Sequence, residues 1–126
     1  MKFLIVEPFL TGSHKAWAEG YAQSSKHEVE IISLPGRFWK WRMHGGAVTL
    51  AKRYDKLNFQ PDLILATDML NLPVFQSLIK PECPDAIYFH ENQFTYPWSP
   101  NDEDVELQRD KHYGFINYSS ALSADH

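Results

Sequence analysis

The chain has 126 residues, room for one domain and not for two, and with 44% hydrophobic and 22% charged residues it is not a disordered chain. Its net charge of −4 argues against nucleic-acid binding spread over the whole surface, so any such contact needs a local basic patch. Cys83 is the single cysteine, which excludes an internal disulfide or a thiolate metal cluster and fits a reducing, cytoplasmic home.

The apolar run Phe3-Leu4-Ile5-Val6 is too short for a signal peptide or a membrane span and reads as a strand buried on both faces. Thr11-Gly12-Ser13 breaks the chain, and Ser13 is placed to cap a helix from His14 to about Ser25. Val29, Ile31 and Leu34 alternate with Glu28 and Glu30 in a second strand that Pro35-Gly36 ends. A basic, aromatic loop follows, then a helix from about Ala47 to Leu57. Asp62 to Thr67 is a third strand, Leu70 to Ile79 a helix, Ala86 to Phe89 a fourth strand, and Val105 to Ser123 the last helix. Strand–helix repeated four times predicts an α/β fold, a Rossmann-like doubly wound parallel sheet over residues 1–126. In a strand order of 3-2-1-4-5 the crevice lies between the loops after strands one and four. The outer side of Ala86–Phe89 is then bare unless a dimer partner, a helix or a tail covers it.

Three segments carry chemistry. Gly12, Ser13 and Lys15 offer helix-start amides and a cation to a phosphate, although an ordinary capped turn explains them equally well. His90-Glu91-Asn92-Gln93 is stronger, because four polar side chains leave a buried strand at the crevice and each can bind sugar hydroxyls or steer a proton. It is not H-E-x-x-H, so no zinc is expected. In Gly36 to Gly45, Arg37, Lys40 and Arg42 interleave with Trp39 and Trp41. That mixture suits RNA, with bases on rings and phosphates on charges, and equally suits packing. One Trp is expected to brace the loop and the other to be presented. Asp102-Glu103-Asp104 is a D-x-D string that reads as a solvated helix start, not a metal site.

Glu7-Pro8-Phe9-Leu10-Thr11-Gly12-Ser13-His14-Lys15, Leu34-Pro35-Gly36-Arg37-Phe38-Trp39-Lys40-Trp41-Arg42 and Tyr88-Phe89-His90-Glu91-Asn92-Gln93-Phe94-Thr95-Tyr96-Pro97 together resemble the N-terminal domain of the tRNA-queuosine alpha-mannosyltransferases. That family, also called glycosyltransferase-like domain-containing protein 1, has the two-Rossmann-domain GT-B fold and is similar to glycosyltransferase family 4. The resemblance implies retaining transfer of mannose from GDP-mannose to queuosine in a tRNA anticodon loop, with no cofactor and no metal. It implies that His90 and Glu91 are catalytic and that Gly12, Ser13 and Lys15 meet the donor diphosphate. His14, Arg37, Trp39, Lys40, Trp41, Arg42, Asn92, Gln93 and Tyr96 are expected at the acceptor. It further implies a C-terminal donor-binding domain beyond this chain, and a chain that is inactive alone. Thr11 departs from the family's Gly-Gly and narrows the space for a backbone–phosphate approach. Three other readings stay open: a transferase for a lipid or glycan acceptor, a non-catalytic nucleotide- or RNA-binding module, and a receiver-like domain. The last would use Glu7 and Asp68 as its acids and leaves Trp39-Lys40-Trp41-Arg42 without a role.

Overall fold

The computed structural model describes residues 1–126 as four parallel strands flanked by helices. In chain order these are β1 Lys2–Leu10, α1 Gly12–Ser24, β2 Glu28–Pro35, α2 Trp39–Tyr54, β3 Leu63–Thr67, α3 Leu72–Ile79, β4 Asp85–Tyr88, α4 Glu103–Glu106 and α5 Lys111–Ser123. The expected Rossmann-like alternation is borne out, and no helix is long and apolar enough to cross a membrane.

The strand order is β2-β1-β3-β4, so β3 pairs with β1 and not outboard of β2 as expected. Ile5 lies opposite Ile31 on one side and Leu65 on the other, and Leu65 opposite Ala86. The chain steps one way from β1 to β2 and the other way thereafter. Right-handed crossovers therefore place α1 on one face and α2 and α3 on the opposite one. Leu4, Val6, Ile32, Leu34, Ile64 and Ala66 of the sheet meet Ala47, Leu50, Leu72 and Phe75 of those two helices in the main core. The order reverses between β1 and β3, so the crevice opens above those two strands, and the loop after β3 joins the one after β1 there.

Helix boundaries differ from the sequence reading most at α2 and at the last helix. Helix α2 begins at Trp39, eight residues early, and runs through Gly46, where an added Cβ would lie 3.3 Å from Pro8 Cβ, so glycine there lets the helix press on the sheet. The final helix is split, with Gln108 at φ 57° between α4 and α5. Ser13 is not the cap of α1, since Thr11 holds that position without a side-chain bond and the helix starts at Gly12. The outer edge of β4 is not bare. The N–H of His126 donates to the Asp85 carbonyl at 3.2 Å and the Ile87 N–H donates to the His126 carbonyl at 3.0 Å, so a tail folds over it.

Candidate active site

Two carboxylates at the ends of apolar strands hold two histidines in the crevice. Strand β1 loses register with β2 between Glu7 and Leu10, an irregularity of the kind that re-aims side chains near functional sites. Glu7 is wholly buried there; it accepts the Phe9 N–H at 2.9 Å with Oε1, and its Oε2 lies 2.9 Å from His14 Nδ1. At the end of β3, Asp68 is 1% exposed, and its Oδ1 accepts the His90 backbone N–H at 3.0 Å and lies 3.1 Å from His90 Nδ1. The two imidazoles stack, with centroids 4.0 Å apart. Trp17 and Tyr88 present their rings edge-to-face to His90 at 5.2 and 4.9 Å. A His90 tautomer that donates from Nδ1 to Asp68 leaves Nε2 as an acceptor; that atom is buried and has no partner.

The electrostatics of this cluster are coupled. Burial opposes a charged His14, yet the hydrogen bond and charge of Glu7, with Asp68 and Glu91 further off, outweigh it and raise its pKa above the ordinary 6.5. Burial also raises the pKa of Asp68, against the opposing pull of His90 and His14. Glu91 is raised as well, by burial first and then by the charge of Asp68. Donor atoms of Glu7, His14 and His90, and of His14, Asp68 and Glu91, lie within 4.8 Å of one another. Each histidine Nδ1 faces a carboxylate, which leaves only the Nε2 atoms of the two rings for any further partner.

The sheet brings most of the sequence-predicted residues to this end of the fold, but in different settings. His14 is buried inside the cluster, while Gly12 and Ser13 stand exposed at the start of α1. Gly12 takes φ +52°, the left-handed region that favours glycine. The Thr11 side chain lies against Gly36, where an added Cβ would be 2.2 Å from Thr11 Cβ. Lys15 is exposed and 3.9 Å from Glu19. Asn92 turns the loop by accepting the Phe94 and Thr95 N–H groups, each at 3.1 Å. Glu91, Gln93, Tyr96 and Trp39 line one cavity of about 310 Å³, together with Phe9, Met69 and Trp98.

In the basic segment, Trp39 packs on Trp98 and Tyr113 with centroids 5.2 and 5.0 Å away, whereas Trp41 is 74% exposed. Arg37 is exposed, and Arg42 Nε donates to the Pro35 carbonyl at 3.2 Å. Lys40 pairs with Asp102 at 2.8 Å and with Asp104, so its charge is already met. The acidic string is therefore more than a solvated helix start, although Asp102 does cap α4 by accepting the Asp104 N–H at 2.9 Å.

Sequence reasoning missed Glu7 and Asp68 as histidine partners, and it missed Asn117. The signal for the first two was present: each carboxylate directly follows an apolar strand run at its carboxyl end. Asn117, buried on α5, donates to the Asp68 carbonyl and accepts the Gln93 N–H, both at 2.8 Å, and so locks the loops after β3 and β4 together. A lone Asn inside a predicted helix gives no such warning.

Residues 2–126 match the family described as tRNA-queuosine alpha-mannosyltransferase N-terminal. The chain is also 36% identical over 126 residues to a Drosophila melanogaster tRNA-queuosine alpha-mannosyltransferase, covering 97% of this chain and 32% of that protein. No solved structure matches it. The chain thus spans about a third of that curated relative's length, and it belongs to the tRNA-queuosine alpha-mannosyltransferase N-terminal family.

Proposed function

We propose that this chain is the acceptor-side half of a GT-B mannosyltransferase that moves mannose from GDP-mannose to queuosine in a tRNA anticodon loop. The observation that carries this reading is the Asp68–His90/His14–Glu7 cluster at the carboxyl ends of β1 and β3, in a chain of this family. In the transfer, the bond from the anomeric carbon to phosphate breaks with its electrons leaving on GDP, and an acceptor hydroxyl bonds to the same carbon. Positive charge grows on the sugar meanwhile. Carboxylates outnumber the histidines here, and His90 Nε2 lacks a partner, which suits a site that meets such charge in a water-poor setting. Glu91, whose carboxyl holds its proton more tightly than usual, is suited to accept the proton of the acceptor hydroxyl. The exposed amides of Gly12 and Ser13, with Lys15, would face the diphosphate at the helix start. Trp41, Arg37 and Arg42 would meet RNA.

His90→Ala in the full-length protein is expected to lower kcat by about 10²-fold or more while tRNA binding changes little, the pattern of a contact made mainly in the transition state. Steady-state mannosylation of queuosine-containing tRNA, with filter binding alongside, measures both. Undiminished turnover in that variant would make the cluster structural and remove the basis of this reading.

A further inference from the structure

Glu91 makes no hydrogen bond of its own, through backbone or carboxylate, so its place in the crevice is set by its neighbours in the chain. One residue before it, His90 is tied to Asp68 through both its backbone N–H and its ring, at 3.0 and 3.1 Å. Two residues after it, the Gln93 N–H donates to Asn117 Oδ1 at 2.8 Å. The same side chain returns to the first anchor, since Asn117 Nδ2 donates to the Asp68 carbonyl at 2.8 Å. The Asp68 N–H is also taken, by the Tyr88 carbonyl at 3.1 Å. Asp68, His90, Gln93 and Asn117 thus close a ring of hydrogen bonds, with Glu91 and Asn92 on the arc between its two fixed points.

Helix α5 turns a polar face to this junction. Asn117 and Ser120, one turn apart, are 3% and 0% exposed. Ser120 Oγ accepts the Leu72 N–H at 3.1 Å and donates to the Leu70 carbonyl at 3.2 Å, so it holds the loop after β3 alone. Asn117 bridges the loops after β3 and β4. The bridge needs one acceptor for an N–H and one donor for a carbonyl from a single short side chain, which a planar amide supplies. A carboxylate lacks the donor and a hydrocarbon lacks both. A polar residue this deep in a helix face is costly to bury unless both its ends are met, and here both are.

We infer that Asn117 is a positioning residue of the transfer site: through Gln93 and Asp68 it fixes the arc that carries Glu91 relative to His90, from a buried place that no substrate touches. The inference rests on the proposed function, in which Glu91 takes the proton of the acceptor hydroxyl, and deepens it by naming what holds that carboxylate in place. Proton transfer requires the two heavy atoms to stay within hydrogen-bond reach, so a loosened arc costs turnover more than it costs binding.

The test uses the full-length protein with Asn117→Leu, Asn117→Asp and Ser120→Ala. Asn117→Leu keeps the bulk and removes both bonds. Its kcat for mannosylation of queuosine-containing tRNA is expected to fall about 10–100-fold, with KM for the tRNA within about threefold of wild type. Hydrogen exchange followed by mass spectrometry should quicken in peptides containing Gln93 and stay unchanged in those of β1. Ser120→Ala removes two bonds on the same helix face and should keep kcat near wild type even where it lowers Tm. Asn117→Asp keeps the acceptor for Gln93 and has a donor for the Asp68 carbonyl only when protonated. Its kcat, divided by that of wild type at the same pH, should therefore rise as pH falls; the division removes the titration of His14, His90, Asp68 and Glu91 that both proteins share. Full turnover in Asn117→Leu, equal losses in Asn117→Leu and Ser120→Ala, or an Asn117→Asp ratio that does not rise toward low pH each overturns the role. Melting curves establish folding, and if Asn117→Leu does not fold, Asn117→Asp decides alone. Exchange separates this inference from the activity it rests on. A wild type that transfers no mannose, with faster exchange at Gln93 in the variant, brings down the proposed activity and leaves the anchor standing. Normal transfer by wild type with unchanged exchange in the variant does the reverse.

Discussion

Glu7 and Asp68 show how a residue can be plain in sequence and still be given the wrong company. Each is an acid at the end of a buried strand, which matched only the receiver-like reading when strand order was unknown. Glu7 faces His14 from the first turn of α1, and with β3 beside β1, Asp68 faces His90 from the loop after β4 in the same crevice. The pair of contacts also sets a pH dependence. His14 binds its proton more tightly in the fold than its ordinary 6.5. Such a group stabilises the fold fully below the ordinary value and loses that contribution as pH rises through the raised one. Asp68 and Glu91 are raised too, so ionising them also disfavours the fold as pH climbs. Asp102 and Asp104 run the other way, held low first by the Lys40 hydrogen bond, and lose their contribution only under strongly acidic conditions. The urea midpoint of the chain is therefore expected to fall between pH 6 and pH 8. Glu7→Gln, which removes the main group raising His14, should flatten that slope. A midpoint independent of pH in this window, or a slope unchanged in Glu7→Gln, would contradict the assignment.

At the scale of elements, the period of the apolar residues revealed every strand and the identity of most helices, because burial between two layers leaves a pattern that needs no tertiary knowledge. What it could not reveal was contact between elements. Gly46 falls ahead of the helix expected from about Ala47 and is a close approach of α2 to Pro8 and Leu34 in the fold. Gly114 belongs to the same class, since a Cβ there would lie 3.0 Å from the Phe94 ring that the loop after β4 lays on α5. The early start of α2 also decides which of the two tryptophans packs and which is presented, the division of roles that the sequence led one to expect without assigning it. Two residues apart on a helix, they point in different directions: Trp39 toward Trp98 and Tyr113, Trp41 toward solvent. Trp39→Ala should destabilise the chain, toward the lower end of the ~3–5 kcal/mol usual for emptying a large aromatic site, because Trp39 is only half-buried. Trp41→Ala should leave the urea midpoint nearly unmoved, and under the proposed function it should weaken tRNA binding by about 1–3 kcal/mol. Denaturant titration and filter binding of both variants check this, and the reverse assignment of effects would mean that α2 does not begin at Trp39.

Across the whole molecule, the site is one wall of a crevice. The histidine cluster, the helix start at Gly12 and the aromatic cavity all lie at the carboxyl end of a four-stranded sheet. Under the proposed function a nucleotide sugar would bring its anionic diphosphate to this wall, which has for it the amides at one helix start and a Lys15 that already has Glu19 nearby at 3.9 Å. The local surroundings are otherwise acidic: Glu7, Asp68 and Glu91 all border the cluster. Such a wall is suited to stabilising positive charge on a sugar and poorly suited to holding its anionic carrier. Tight donor binding then requires cations and hydrogen-bond donors from elsewhere, and the relative of which this chain covers 32% has the length to supply them. The 126-residue chain alone is therefore expected to bind GDP-mannose at least about 100-fold more weakly than the full-length protein, the loss of roughly 2.7 kcal/mol of contacts. It should yield no detectable mannosylated tRNA at enzyme concentrations where the full-length protein completes the reaction. Trp41 and the neighbouring arginines should nevertheless give the isolated chain weak, salt-dependent binding to the anticodon stem-loop. Calorimetry with GDP-mannose and mass spectrometry of the nucleosides from treated tRNA measure the two halves of this expectation. Product formed by the chain alone would show that one wall suffices, and would move the donor site onto the residues described above.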